Sequence, residues 1–302
     1  MDIQYIEAFE ALFASHKRLY WHFVLSSIVI AGIYLYWHPK ERKIQGSKKL
    51  WLHPSAVLDY QYFVLSFFIK TWLIFPWLVA INTVILFSYE MLESLFGFVR
   101  VTYFSKAEVM LMFTFSLFVV SDFTRYWLHR WLHTGWLWEF HKVHHSAKVL
   151  TPLTFYRVHP IENILFGLRY ALSVGVVTGV FVYLFAGYVG LIEIMGANAF
   201  LYVFTLMGSN LRHSHIKLGY PKRLESLFIS PYQHQLHHQV RYTHRNFGGY
   251  LAVWDTLFGT VEYSKEAKEA PKSAIGVETT NFTTLSALLI HPFISIYQRK
   301  QR

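Results

Sequence analysis

The sequence predicts an all-α membrane protein. It should form a bundle of about four membrane-crossing or re-entrant helical units under a His-rich cap on the cytoplasmic side. Three observations carry this prediction. Of the 302 residues, 54% are hydrophobic and only 15% are charged, whereas a soluble domain carries about 25% charged residues. The mean hydropathy is +0.28. The apolar residues fall in long runs, and the histidines gather in polar stretches beside those runs.

The whole chain, 1–302, reads as a single integral membrane domain, with a core at about 107–262, N-terminal membrane helices in 1–106 and a tail in 263–302. Residues 1–18 read as a short interfacial helix. Leu19–Trp37 is just long enough to span a bilayer, which takes about 20 apolar residues, and Trp21 and Trp37 sit at its ends as interfacial aromatics do. Lys40, Arg42, Lys43, Lys48 and Lys49 follow, and such a cluster favours the cytoplasmic side. Val57–Tyr89 is an apolar stretch interrupted by Lys70 and Pro76, too long for one straight span and therefore kinked or re-entrant.

Residues 107–133 form the next span. Ile161–Tyr188 and Leu191–Ser209 meet at Gly187-Tyr188-Val189-Gly190 and read as a hairpin that crosses twice or dips in and returns. Residues 210–260 are polar, rich in His and cut by Pro221, Pro231, Gly248 and Gly249, so they form the cap. A solvated linker (263–284) and an interfacial helix (Leu285–Tyr297) complete the sequence. Segments 122–160 and 210–302 hold five and twelve Lys/Arg, and the turn 187–190 holds none. The His side is therefore expected in the cytoplasm of a bacterial inner membrane or endoplasmic reticulum. The net charge of +10 reflects these flanking basic residues, not nucleic-acid binding. With no cysteine, disulfides, thiolate-held iron–sulfur clusters and thiolate-ligated haem are excluded.

The histidines carry the chemistry. His129 and His133 lie one helical turn apart; His141, His144 and His145 fall at i, i+3 and i+4, and His234, His237 and His238 repeat that spacing. One such triplet arises by chance in roughly one chain in twenty of this composition, so two triplets and a pair are not accidental. These eight are candidate metal ligands, and His213, just after the hairpin, is a ninth. Eight or nine imidazoles exceed the four ligands of one zinc and suit two metals. Imidazole accepts iron, zinc, copper or nickel, but neutral ligands at a membrane surface suit oxygen-activating iron. Isolated histidines such as His22, His38, His53 and His291 read as structural.

A ligating imidazole usually gives its other N–H to a carboxylate or carbonyl. Asp122, Tyr126, His129 and His133 fall on one helical stripe, which makes Asp122 and Tyr126 candidate supports. His159 is read as a ligand or a support, Glu162 as its neighbour with the same ambiguity, and His244 as support for the cap. Asp255 and Glu139 are weaker candidates, with a surface salt bridge as their alternative.

The motifs HRWLH, HKVHH and HQLHH, closed by Asn246-Phe247-Gly248 and Trp254-Asp255-Thr256-Leu257-Phe258-Gly259-Thr260, resemble those of the fatty acid hydroxylase/sterol desaturase superfamily. The resemblance runs from about Asp122 to Thr260. It implies a membrane di-iron oxygenase that uses O2 to hydroxylate or desaturate an unactivated C–H bond of a lipid, whether fatty acyl, sterol or related. Carried over by position, the iron ligands are His129, His133, His141, His144, His145, His234, His237 and His238, with His213 as an additional match; zinc is a possible substitute in purified protein. Electrons are expected from a separate donor of the cytochrome b5 or ferredoxin/reductase type. A metal transporter and a zinc-dependent lipid hydrolase are the rival readings. The first places its sites near the membrane midplane; the second needs a base beside an open metal, and no HExxH occurs.

Overall fold

A computed structural model describes residues 13–14, 17–74, 80–194, 197–267, 275–278 and 281–301. Most of the interfacial helix expected over 1–18, and Pro76, lie outside the described residues.

Among the described residues the protein is mostly helical, with almost no strand. In sequence order the helices are α1 (Trp21–Trp37), α2 (Pro39–Gln45), α3 (Lys48–Trp51), α4 (Pro54–Ile69), α5 (Ile81–Phe96), α6 (Lys106–Leu132), α7 (Leu137–His145) and α8 (Pro160–Phe185). They continue as α9 (Ala199–Leu206), α10 (Lys222–Glu225), α11 (Pro231–His237), α12 (Val253–Leu257) and α13 (Leu285–Lys300). The strands β1 (Glu193–Ile194) and β2 (Ala197–Asn198) form one small antiparallel pair.

Two helices, α6 and α8, are long and apolar enough to cross a membrane, with 27 and 26 residues. Only 28% and 22% of their most apolar windows are buried, the reverse of a soluble core helix. Phe115 and Phe123 on α6, and Leu172 and Val176 on α8, point outward. The expected interruption of Val57–Tyr89 is present: α4 runs into a π-helical turn at Lys70–Ile74, and α5 begins at Ile81.

The protein forms two compact units. The first comprises Met1–Ser26, Leu78–Arg125 and Phe166–Met207. Within it, α8 lies against α5 at glycines. A Cβ on Gly175 would come within 2.5 Å of the Val84 side chain, and one on Gly179 within 2.6 Å of Ser88, so only glycine permits this backbone approach. Arg169 on α8 donates to Ser121 O at 2.8 Å and to Thr124 Oγ1 at 3.0 Å on α6. After α8 the backbone returns through β1, β2 and α9. Among the described residues this second arm contains an eight-residue helix, not a membrane-length one, and is pinned to α6 where Thr114 Oγ1 accepts from Ile192 N at 2.8 Å.

The second unit comprises Ser27–Trp77, Tyr126–Leu165 and Gly208–Arg302. Its core gathers Leu58 and Tyr62 of α4, Val143 of α7, Val277, Phe282 and Leu288 of α13. All three His motifs fall in this unit.

Candidate metal centre

Each motif reaches the site on a short, strongly specified element. α6 brings His129 in its last turn, and His133 follows one residue past its end. α7 is nine residues long and presents His141, His144 and His145 from one face. α11 opens on a capping box, with the Ser230 side chain accepting from Gln233 N and the Gln233 side chain accepting from Ser230 N, and has Pro231 in its first turn. Both features fix where this helix starts, and hence the direction of His234, His237 and His238. His213 ends the 3₁₀ turn Ser209–His213.

The nine imidazoles converge in two groups. His129, His133, His141, His145 and His237 form one; His144, His213, His234 and His238 form the other, and within each group one ring nitrogen per residue lies within 4.8 Å of the rest. The groups adjoin: ring centroids of His145 and His238 are 4.6 Å apart, and those of His144 and His238 4.7 Å.

The nitrogens face one another. His129 Nε2 is 3.0 Å from His237 Nε2 and 3.2 Å from His141 Nε2. His213 Nε2 is 3.2 Å from both His234 Nε2 and His238 Nε2, and 3.3 Å from His144 Nε2. Two nitrogens bound to one cation at about 2.1 Å, and about 90° apart, would be separated by about 3.0 Å. Both ring nitrogens of His133 and of His145 are buried with no hydrogen-bond partner, a costly state that a coordinated cation relieves. The donor set therefore fits two transition-metal ions.

The outer nitrogens decide the tautomers. His129 Nδ1 donates to Phe247 O at 2.8 Å, His144 Nδ1 to Arg157 O at 3.2 Å, and His237 Nδ1 to Arg245 O at 2.6 Å. A carbonyl only accepts, so each Nδ1 carries the proton and each Nε2 turns a lone pair inward. His141 Nδ1 lies 3.0 Å from Glu162 Oε2, an ion-pair contact outside hydrogen-bond geometry.

Burial keeps seven of the rings neutral, the form that binds metal. It pushes His141 down to about 3 and His144 to about 4, with neighbouring imidazoles adding to the shift for His144. Burial first, then the surrounding rings, holds His133, His145, His234, His237 and His238 well below the ordinary range.

The supporting residues divide. Glu162 supports His141 directly. Asp255 accepts from Phe247 N at 2.8 Å and Gly248 N at 2.7 Å, fixing the backbone whose carbonyl receives His129. Thr260 Oγ1 donates to Asp255 at 2.6 Å and pairs with the Tyr126 hydroxyl at 3.0 Å. Tyr126 and Asp255 thus belong to one series of contacts ending at His129. His244 is exposed, its ring 5.9 Å from that of His133, and Asp122 is buried on α6 two turns before His129.

His159 stands apart from both groups. Its Nδ1 accepts from Ile161 N at 3.1 Å and its Nε2 donates to Leu289 O at 3.1 Å. Both nitrogens are used at the start of α8 and on α13, and it joins neither group. His215 accepts from Leu150 N at 3.3 Å, and Glu139 pairs with Lys142 at 2.8 Å. The carbonyls of Arg157, Arg245 and Phe247 had no sequence signal, because any residue offers one.

Residues 114–260, which contain every one of these imidazoles, match the model of the fatty acid hydroxylase family. This part of the chain belongs to that family. Among curated relatives of this chain are a very-long-chain aldehyde decarbonylase of Arabidopsis thaliana and another of Oryza sativa subsp. indica. The first is 30% identical over 48% of this chain and 22% of its own length, the second 32% over 50% and 53%. A Dictyostelium discoideum protein named as a methylsterol monooxygenase is 30% identical over 55% of this chain and 57% of its own. The chain thus spans about a quarter of the first plant relatives it matches and about half of the others. No solved structure matches.

Proposed function

We propose that this protein is a membrane di-iron oxygenase that uses O2 to hydroxylate or desaturate a lipid of fatty acyl, sterol or related type. One observation carries the reading: two adjoining groups of buried imidazoles whose ring nitrogens converge. His129, His133, His141, His145 and His237 hold one iron, and His144, His213, His234 and His238 the other. When bound, the metals supply O2 activation and the electrons' point of entry.

The protein supplies position and environment. Backbone carbonyls orient the rings of His129, His144 and His237, and Glu162 lies against His141. Burial excludes water, which protects a reactive centre from side reactions. The outward apolar faces of α6 and α8 suit a lipid surround. The count of basic residues supports a cytoplasmic His side, the apolar runs of the sequence are the basis for about four membrane units, and the electron donor is a separate protein.

The relatives' names favour a second substrate class. Two of them are named for a very-long-chain aldehyde. On that reading the same centre would act here on the aldehyde carbon of a long lipid, not on a C–H bond in the middle of its tail.

Metal analysis of the purified protein, followed by lipid profiling of cells with and without it, tests the proposal. The expected result is about two irons per molecule and a hydroxylated or unsaturated lipid that depends on His144 and His237. Loss of a fatty aldehyde with gain of a shortened hydrocarbon would select the second reading. A single zinc per molecule with no oxidised product would overturn both.

A further inference from the structure

One buried ion pair joins a helix outside the region of family similarity to the metal centre. Ser55, Asp59 and Tyr62 fall at i, i+4 and i+7 on α4, one stripe facing the segment 152–158. Asp59 Oδ1 accepts from Arg157 Nη1 at 2.9 Å, and Asp59 Oδ2 accepts from Thr154 Oγ1 at 2.6 Å. Arg157 also donates to Ser55 Oγ at 3.1 Å and to Phe282 O at 3.0 Å. The Tyr62 hydroxyl donates to Val158 O at 2.8 Å. The Asp59 and Arg157 side chains are 0% and 1% exposed.

Burying both charges is a poor route to stability, because desolvation offsets their attraction and an apolar pair of similar volume often does as well. What the pair fixes is the orientation of one peptide. Arg157 O is the acceptor for His144 Nδ1, and five residues later Glu162 meets His141. The six-residue stretch 157–162 thus orients one imidazole in each group, and α4 clamps its first residue.

We propose that Asp59 and Arg157 are positioning residues of the metal centre, acting through the Arg157 carbonyl on His144 and so on the four-histidine group. The proposal rests on the two-metal reading above. It makes α4, although outside residues 114–260, a working part of the centre. Supports of this kind change metal affinity by about 10–100-fold when removed.

The test is a cobalt(II) titration of the full-length, detergent-solubilised, chelator-stripped protein, followed by visible absorption and equilibrium dialysis. Wild type should take up two cobalt ions per molecule. In Asp59→Asn, one of the two binding steps should weaken by about 10–100-fold while the other keeps its wild-type midpoint. Arg157→Lys keeps a cation beside Asp59 but loses the fork; it should show the same one-step loss, and decides the matter if Asp59→Asn does not fold by circular dichroism. Wild-type affinities for both steps, or an equal loss in both, would overturn the positioning role. Failure of the wild-type protein itself to bind cobalt would instead remove the two-metal reading.

Discussion

The Nε2 atoms of His129 and His237 lie 3.0 Å apart, and each carries a lone pair because each Nδ1 donates its proton to a carbonyl. Two lone pairs at that distance repel unless a cation sits between them. Stripping metal from the purified protein should therefore lower its melting temperature, and ferrous ion should restore it. At metal 100-fold above its Kd the recovered stability is about 2.7 kcal/mol. A melting temperature indifferent to chelator would reject the centre.

His213 and His215 are two residues apart but differ in surroundings: the first faces three Nε2 atoms, the second accepts from Leu150 N. His213→Ala should reduce iron from about two toward about one per molecule, while His215→Ala should keep full metal content and cost about 1–3 kcal/mol for the unpaired N–H. Elemental analysis of the two variants side by side checks the assignment.

Glu162→Gln keeps volume but removes the charge facing His141 Nδ1. Affinity for one metal should fall by about 10–100-fold. Unchanged chelator resistance would reduce Glu162 to a bystander.

Acid should destabilise the metal-free protein over a defined window. Above pH about 6.5 both folded and unfolded imidazoles are neutral, so stability is flat. Below it the unfolded protein takes protons that the folded one refuses. Each buried imidazole then costs about 1.4 kcal/mol per pH unit, down to about 4 for His144 and about 3 for His141. Denaturant midpoints measured from pH 8 to pH 4 should hold and then drop steeply; a flat profile would contradict burial of neutral rings.

Gly179→Leu should disturb the first unit, since its Cβ would meet Ser88 at 2.6 Å and Ile85 O at 2.9 Å. Overpacking of this kind costs about 1–3 kcal/mol. The loss should appear as a lower melting temperature in detergent, and an unaltered one would refute the close helix approach.

The sequence by itself determined which imidazoles form local groups. Spacings of three and four residues bring imidazoles to one face of any helix that contains them, so His129 with His133 and each His triplet were legible as local groups. The long apolar runs marked α6 and α8 as membrane-length helices by length and hydropathy alone. Partition among partners was a tertiary decision. The triplet on α7 splits, His141 and His145 joining one group and His144 the other, and the triplet on α11 splits likewise between His237 and its neighbours. A helix fixes only which residues share a face; which cation each reaches depends on what is packed opposite. The same holds for the supports. His159, promising by position, spends both nitrogens elsewhere, while the carbonyls of Arg157, Arg245 and Phe247 hold three of the rings. Every residue has a carbonyl, and only folding decides where it points.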